Sequence, residues 1–233
     1  MDTTSTRTMA PALAPTDVEL QQQVLDELAW DGHVLPSEIG VAVHDGIVTL
    51  SGSVSSYLAR MAAQEATHRV RSVRAVVNEL TVRLPAFAER TDEDIARATL
   101  SALAWDAAIP ADLLEVSVSD GWVTLKGEVE RYLQRDAAER VVRRVAGVRG
   151  ITNRIGVTSH PVTADLHRQI ERALMRSAEV DAEHIRVEIE GGVAVLKGTV
   201  RSHLERRAAE RTVLGAPGIT AVENRIVIDP RID

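Results

Sequence analysis

The chain has 233 residues, 45% of them hydrophobic, and a formal net charge of -7. That apolar content excludes wholesale disorder, and the acidic balance argues against a general nucleic-acid binder, which needs a basic field to neutralise phosphates. The absence of cysteine removes disulfides, thiolate zinc sites and cysteine nucleophiles, while aromatics at 3% leave the cores to Val, Ile, Leu and Ala.

Residues 1–15, rich in Thr, Ala and Pro, have neither a basic start nor an apolar run. They predict a disordered tail and no export signal. No segment approaches the ~18 apolar residues of a spanning helix, so the expectation is a cytoplasmic protein without a transmembrane segment.

The first element is a helix in TDVELQQQVLDELAW, where Leu20, Val24 and Leu28 share a face and Thr16 with Glu19 matches a capping box. A short strand follows, with Val41 and Val43 on one side. Asp45-Gly46 is the preferred pair for a type I′ turn, in which both residues take positive φ. The next strand alternates Val48, Leu50, Gly52 and Val54 inward, and the glycine in that series predicts close approach of a helix or backbone. A second helix carries the stripe Leu58, Ala62, Ala63, Ala66 and Val70 and ends near Ser72. The strand VVNELTV closes the unit.

The chain then repeats itself. DGIVTLSGSV at 45–54 returns as DGWVTLKGEV at 120–129 and as GGVAVLKGTV at 191–200. Gly46, Gly121 and Gly192 are 75 and then 71 residues apart, and Gly52, Gly127 and Gly198 keep the same offsets, as do Asn78, Asn153 and Asn224. Thr91 with Asp94 is the second cap. Leu133, Ala137, Ala138, Val141 and Val145 form the second stripe, and Gly147 and Gly218 stand where Ser72 ends the first one. The units run over 16–84, 91–158 and 162–229, joined by PAFAER (85–90) and SHP (159–161). Each reads α-β-β-α-β: an antiparallel hairpin, then a crossover that sets the last strand parallel to the second. The predicted fold class is α+β, with three tandem modules, each a three-stranded mixed sheet covered by two helices.

The phrase D-G-x-V-T-L-x-G-x-V, an Ala-rich helix and G-V-x-x-V-x-N-x-[ILV]-x-V together closely resemble the BON domain. Units one and two match almost throughout. Unit three departs at Gly191-Gly192, at Ala194 and at Ala216-Pro217-Gly218. The resemblance implies small α/β modules, associated with osmotic and envelope stress, that bind phospholipid membranes or other ligands rather than perform chemistry. Many relatives are periplasmic.

The residues themselves show no catalytic constellation, metal motif or cofactor loop. The seven histidines (His33, His44, His68, His160, His167, His184 and His203) share no helix face at i, i+4 and are expected to be solvent-exposed. Gly46, Gly52, Gly121, Gly127, Gly192 and Gly198 are assigned to turns and packing. Asn78, Asn153 and Asn224 are expected to tie down neighbouring loop backbone. Trp30 and Trp105, in one register, are expected to cap their cores or fill a contact between domains, whereas Trp122 faces away from its core.

Charge is more informative, because the later second helices gather arginines: Arg131, Arg135, Arg140, Arg143 and Arg144, then Arg201, Arg206, Arg207 and Arg211. Interleaved Glu130, Asp136, Glu139, Glu205 and Glu210 make a merely solvated face one reading. With the resemblance, docking on anionic headgroups is the other. The leading expectation is therefore a non-enzymatic, stress-associated protein that docks on anionic phospholipid surfaces. The alternative is a soluble sensor or scaffold that takes potassium, a ligand or a protein partner between domains.

Overall fold

The computed structural model describes residues 15–158, 165–177 and 184–229. The expected tail lies outside these residues except for its last position, as do the 159–161 linker and His160. Unit one runs α1 (Asp17–Trp30), β1 (Ile39–His44), β2 (Ile47–Val54), α2 (Tyr57–Arg69), β3 (Ala75–Asn78) and β4 (Thr81–Val82). Unit two has α3 (Asp92–Trp105), β5 (Leu114–Ser119), β6 (Trp122–Val129), α4 (Tyr132–Val142) and β7 (Gly150–Val157). Unit three has α5 (Leu166–Arg176), β8 (Ile185–Glu190), β9 (Val193–Val200), α6 (His203–Leu214) and β10 (Ala221–Ile228).

The first helix starts where its capping box sits. The Thr16 hydroxyl accepts the Glu19 N–H at 3.3 Å, and the Glu19 carboxylate accepts the Thr16 N–H at 2.8 Å. Thr91 caps α3 by accepting the Asp94 N–H on its hydroxyl at 3.2 Å. In each sheet the second strand of the unit is central. It pairs antiparallel with its hairpin partner and parallel with the last strand, in the orders β1-β2-β3, β5-β6-β7 and β8-β9-β10. These are the three mixed sheets of an α+β chain. β4 extends β3 along β2 in unit one.

The hairpin turns have both central residues at positive φ: 49° and 75° at Asp45-Gly46, 52° and 78° at Asp120-Gly121, 56° and 85° at Gly191-Gly192. Asp17 adds a tie, its carboxylate accepting the N–H groups of Asp45 and Gly46 at 3.0 and 3.2 Å. Asp92 does the same for Asp120 and Gly121 at 2.9 and 2.8 Å.

The glycine of the central strand faces a backbone, not a helix. Gly52 sits at φ +113° and a Cβ there would collide with the Glu38 carbonyl oxygen; Gly127 meets that of Leu113 at φ +133° and Gly198 that of His184 at φ +134°. The chain entering the first strand crosses over this point.

Leu20, Val24 and Leu28 pack on Val48, Leu50 and Val54 beneath Ala59, Ala62, Ala63 and Ala66. The stripe of the second helix thus begins one residue later than its apolar pattern suggests. Leu58 is only partly buried and Leu133 is 50% exposed. In unit two the fully buried Val142 joins the stripe, and Val141 and Val145 pack partly buried against the same core.

Candidate functional site

Position 57 has equivalents at 132 and 203, and each is the first residue of a second helix. None of these three side chains serves its own unit alone. Tyr57, 8% exposed, belongs to the core of unit two, where Met61 and Val82 of unit one also pack. It lines a cleft with Arg143, Arg144 and Val148. Tyr132 packs on the core of unit three, against Leu214, Ala216 and Ile219. His203, also 8% exposed, returns to unit one. Its Nε2 donates to the Arg74 carbonyl at 2.9 Å, and its ring centroid lies 4.4 Å from that of His68.

The receiving segments, around 143–148, 214–219 and 68–74, are themselves equivalent in the repeat. One head-to-tail contact is therefore used three times, and the third use closes a ring with pseudo-threefold symmetry. α2, α4 and α6 face its axis.

His68 and His203 correct the expectation of exposed histidines. They meet at the closing seam, and His68 Nδ1 is buried without a hydrogen-bond partner. Burial, then His203, Arg207 and Arg206, push the His68 pKa down to about 4. Burial also lowers that of His203, its hydrogen bond to Arg74 acting in opposition and Arg206 and Arg207 reinforcing the shift. The signal missed in the sequence is the ring-bearing residue at the start of every second helix, out of phase with the stripe behind it.

The arginines divide into two sets. Arg131 lines the pocket beside Tyr132, and the Arg135 guanidinium lies 5.6 Å from the Tyr132 ring centroid. Arg201 pairs with Glu205 at 3.4 Å, and Arg206 donates to the Asn224 carbonyl at 3.0 Å. Arg140, Arg143, Arg207 and Arg211 instead turn toward the axis, and Arg144 lines clefts shared with unit one.

Arg143 is the most enclosed of these, its side chain 16% exposed and bonded to Glu139 and to Glu65 of unit one, each at 3.1 Å. Burial opposes its charge, but the two carboxylates outweigh it and hold the Arg143 pKa above its ordinary value. Arg207 reaches the same Glu65 at 3.9 Å. Glu65 therefore links all three units, while Arg140 pairs with Asp136 at 3.2 Å within α4.

Between the three helices lies a cleft of about 350 Å³, lined in part by these groups and by Arg69, which Glu27 and Asp31 hold at 2.6 and 3.0 Å. A neighbouring cavity of about 570 Å³ takes in Arg144, Arg140 and Asp31.

The asparagines bind the last strand to the second helix rather than to a loop. Asn153 Nδ2 donates to the Arg135 carbonyl at 3.1 Å and to Glu139 at 3.2 Å, and its Oδ1 accepts the Ile155 N–H at 3.2 Å. Asn78 and Asn224 repeat the pattern with Arg60 and Gln64, and with Arg206 and Glu210.

The first-helix tryptophans overturn both readings given them: Trp30 is 86% and Trp105 88% exposed, touching neither core nor seam. They end helices whose last core residues, Leu28 and Leu103, lie two positions earlier, so the rings point about 200° away from the core face. Trp122 lies flat over Gly150 and donates from Nε1 to Thr152 at 2.8 Å.

Among the described residues, Asp17, His44 and Asp45 form the one grouping of metal-ligand type. All three are exposed, and Asp17 is already engaged by the hairpin turn. No helix among the described residues is long and apolar enough to cross a membrane.

A BON domain model matches residues 16–83, 91–159 and 163–230. Over 119 residues the chain is 27% identical to osmotically-inducible protein Y of Escherichia coli (strain K12), a stretch covering 48% of this chain and 59% of that protein. Of solved structures, CdsD, a structural protein of the type III secretion system of Chlamydia trachomatis, aligns at 14% identity over 89% of this chain and 91% of its own, with a TM-score of 0.26. Its C-terminal domain aligns at 14% identity over 93% and 100%, with a TM-score of 0.27.

Proposed function

We propose, from the premise that the chain belongs to the BON domain family, that it is a non-enzymatic protein of osmotic stress that docks on anionic phospholipid surfaces through the axial cleft. The observation that carries this reading is the convergence of arginines from different units on one place in a chain of net charge -7. Each basic side chain near an anionic leaflet contributes about 1 kcal/mol, so the exposed Arg140 and Arg207 at this cleft together supply about 2 kcal/mol. The ring adds preorganisation. Units that flexible linkers alone would leave free to face apart are held with their basic positions around one axis.

Flotation of the purified protein with vesicles tests the reading. Binding to anionic but not neutral vesicles is expected, weaker at ~150 mM salt than at low salt, where screening is less. Arg140→Gln with Arg207→Gln, two side chains 60% and 49% exposed, should abolish it without unfolding the protein. Absence of flotation under every condition overturns the reading.

A further inference from the structure

We infer that residues 9–14, just before α1, lie as a strap across the closing seam between units three and one. The inference is independent of the docking reading and concerns the seam that no linker spans.

At the seam between units one and two the linker does more than connect. Leu84, Pro85 and Ala88 are half-buried and line a cleft of about 290 Å³ with Tyr57 and Leu58 of unit one and Val148 of unit two. Ala86 and Glu89 face solvent, and Phe87 reaches only the rim, 81% exposed. The linker therefore has an inward register and an outward one.

The offset of 75 residues carries that register onto the segment before α1. Met9 and Leu13 take the inward positions of Leu84 and Ala88, and Ala12 takes the outward position of Phe87. Met9 and Leu13 are the only large apolar side chains between residues 2 and 15, and both fall inward. Residues 8–15 carry no charge, so packing them on an apolar surface desolvates no ion. The segment is also easily ordered: Pro11 and Pro15 fix φ in advance, and Ala10, Ala12 and Ala14 lose no rotamers. Pro15, where the described chain starts, is already half-buried.

The receiving surface is an equivalent of the first cleft. Leu58, Leu133 and Leu204 are each the second residue of their helix. Leu58, which shares its cleft with the described linker, is half-buried, whereas Leu133 is 50% and Leu204 45% exposed. Beside Leu204, Val70 and Val73 stand where Val145 and Val148 line the first cleft. The strap thus supplies for the closing seam what the covalent linker supplies for the first.

Hydrogen exchange of the full chain at pH 7 tests this with two variants. One joins Met9→Ser with Leu13→Ser; the other carries Ala12→Ser, which alters the outward register alone. The first should speed exchange about fivefold in residues 70–74 and 205–208, on the two sides of the closing seam, and leave the seam between units one and two unchanged. Ala12→Ser should change neither. The natural chain has no cysteine, so Met9→Cys with Leu204→Cys permits a single disulfide. It should form on mild oxidation, whereas Met9→Cys with Leu133→Cys, the same register at another seam, should stay reduced. Unchanged exchange in the first variant overturns the strap. So does exchange that rises throughout the chain, or a disulfide that forms as readily with position 133 as with 204.

Discussion

Acid should loosen the seam between units one and three, and only that seam. His68 and His203 face one another there beneath Arg206 and Arg207, and His68 is held at about 4 against an ordinary 6.5. Because the closed form has the depressed pKa, it binds fewer protons than an opened one. Closure is at full strength above pH ~6.5 and is progressively lost as pH falls toward ~4. For His68 alone the difference at pH 5 amounts to about 2 kcal/mol, or about 1 kcal/mol once solvent screening of this half-buried pair is allowed for, a fivefold weakening of closure. Hydrogen exchange of the amides in α2 and α6 at pH 7 and pH 5, corrected for intrinsic rates, reads this directly. A variant joining His68→Gln with His203→Tyr, the latter being the residue that units one and two carry at this position, should lose the response. Equal protection at both pH values in the natural protein would refute the reasoning. So would the same acid response in the variant, which would move the cause away from the two histidines.

Three other substitutions separate the parts of the fold. Gly127→Ala, at φ +133° and against the Leu113 carbonyl, should cost about 2–3 kcal/mol and lower the thermal midpoint by several degrees. Asn153→Ala strips two hydrogen bonds between β7 and α4 and one within β7, and should cost about 2 kcal/mol in urea denaturation, with the second unit's transition moving first. Trp30→Ser, by contrast, should leave stability within about 0.5 kcal/mol, because the ring is 86% exposed; a larger fall would mean that it packs after all.

Most of each unit was legible because its signals are local. A capping box, a two-residue turn requiring positive φ at both positions, and a period-two strand each act within ten residues, so Thr16, Asp45-Gly46 and Val48 announce their own conformations. The second-helix stripe was less accurate. Leu58 and Leu133 have the right character, but the neighbouring unit, not the unit's own sheet, lies over the start of that helix. The ring was not legible, for a related reason. Comparing repeats rewards positions that stay the same, whereas the axis is built from positions that differ: Glu65 with Arg140 and Arg211, His68 with Arg143 and Leu214. Tyr57, Tyr132 and His203 did carry a clue in their shared register, hidden because the third member is a different residue. The exposed tryptophans misled in the opposite direction, since a repeated large aromatic suggests burial and these two have none.

The head-to-tail contact also governs what the chain does when it is shortened. An interface of this kind has a plug on one side and a socket on the other, and by itself it contains no instruction to stop at three. Here the count is set by covalent linkage: the third plug is His203, and the nearest free socket is the one at Arg74 on the same molecule. A fragment ending after residue 158 would keep the socket that His203 vacates while Tyr132 lost its own. The two halves are complementary, and on separate molecules nothing prevents them from meeting. Such a fragment should gain a concentration-dependent tendency to grow end to end that the intact chain, with every plug seated, does not have.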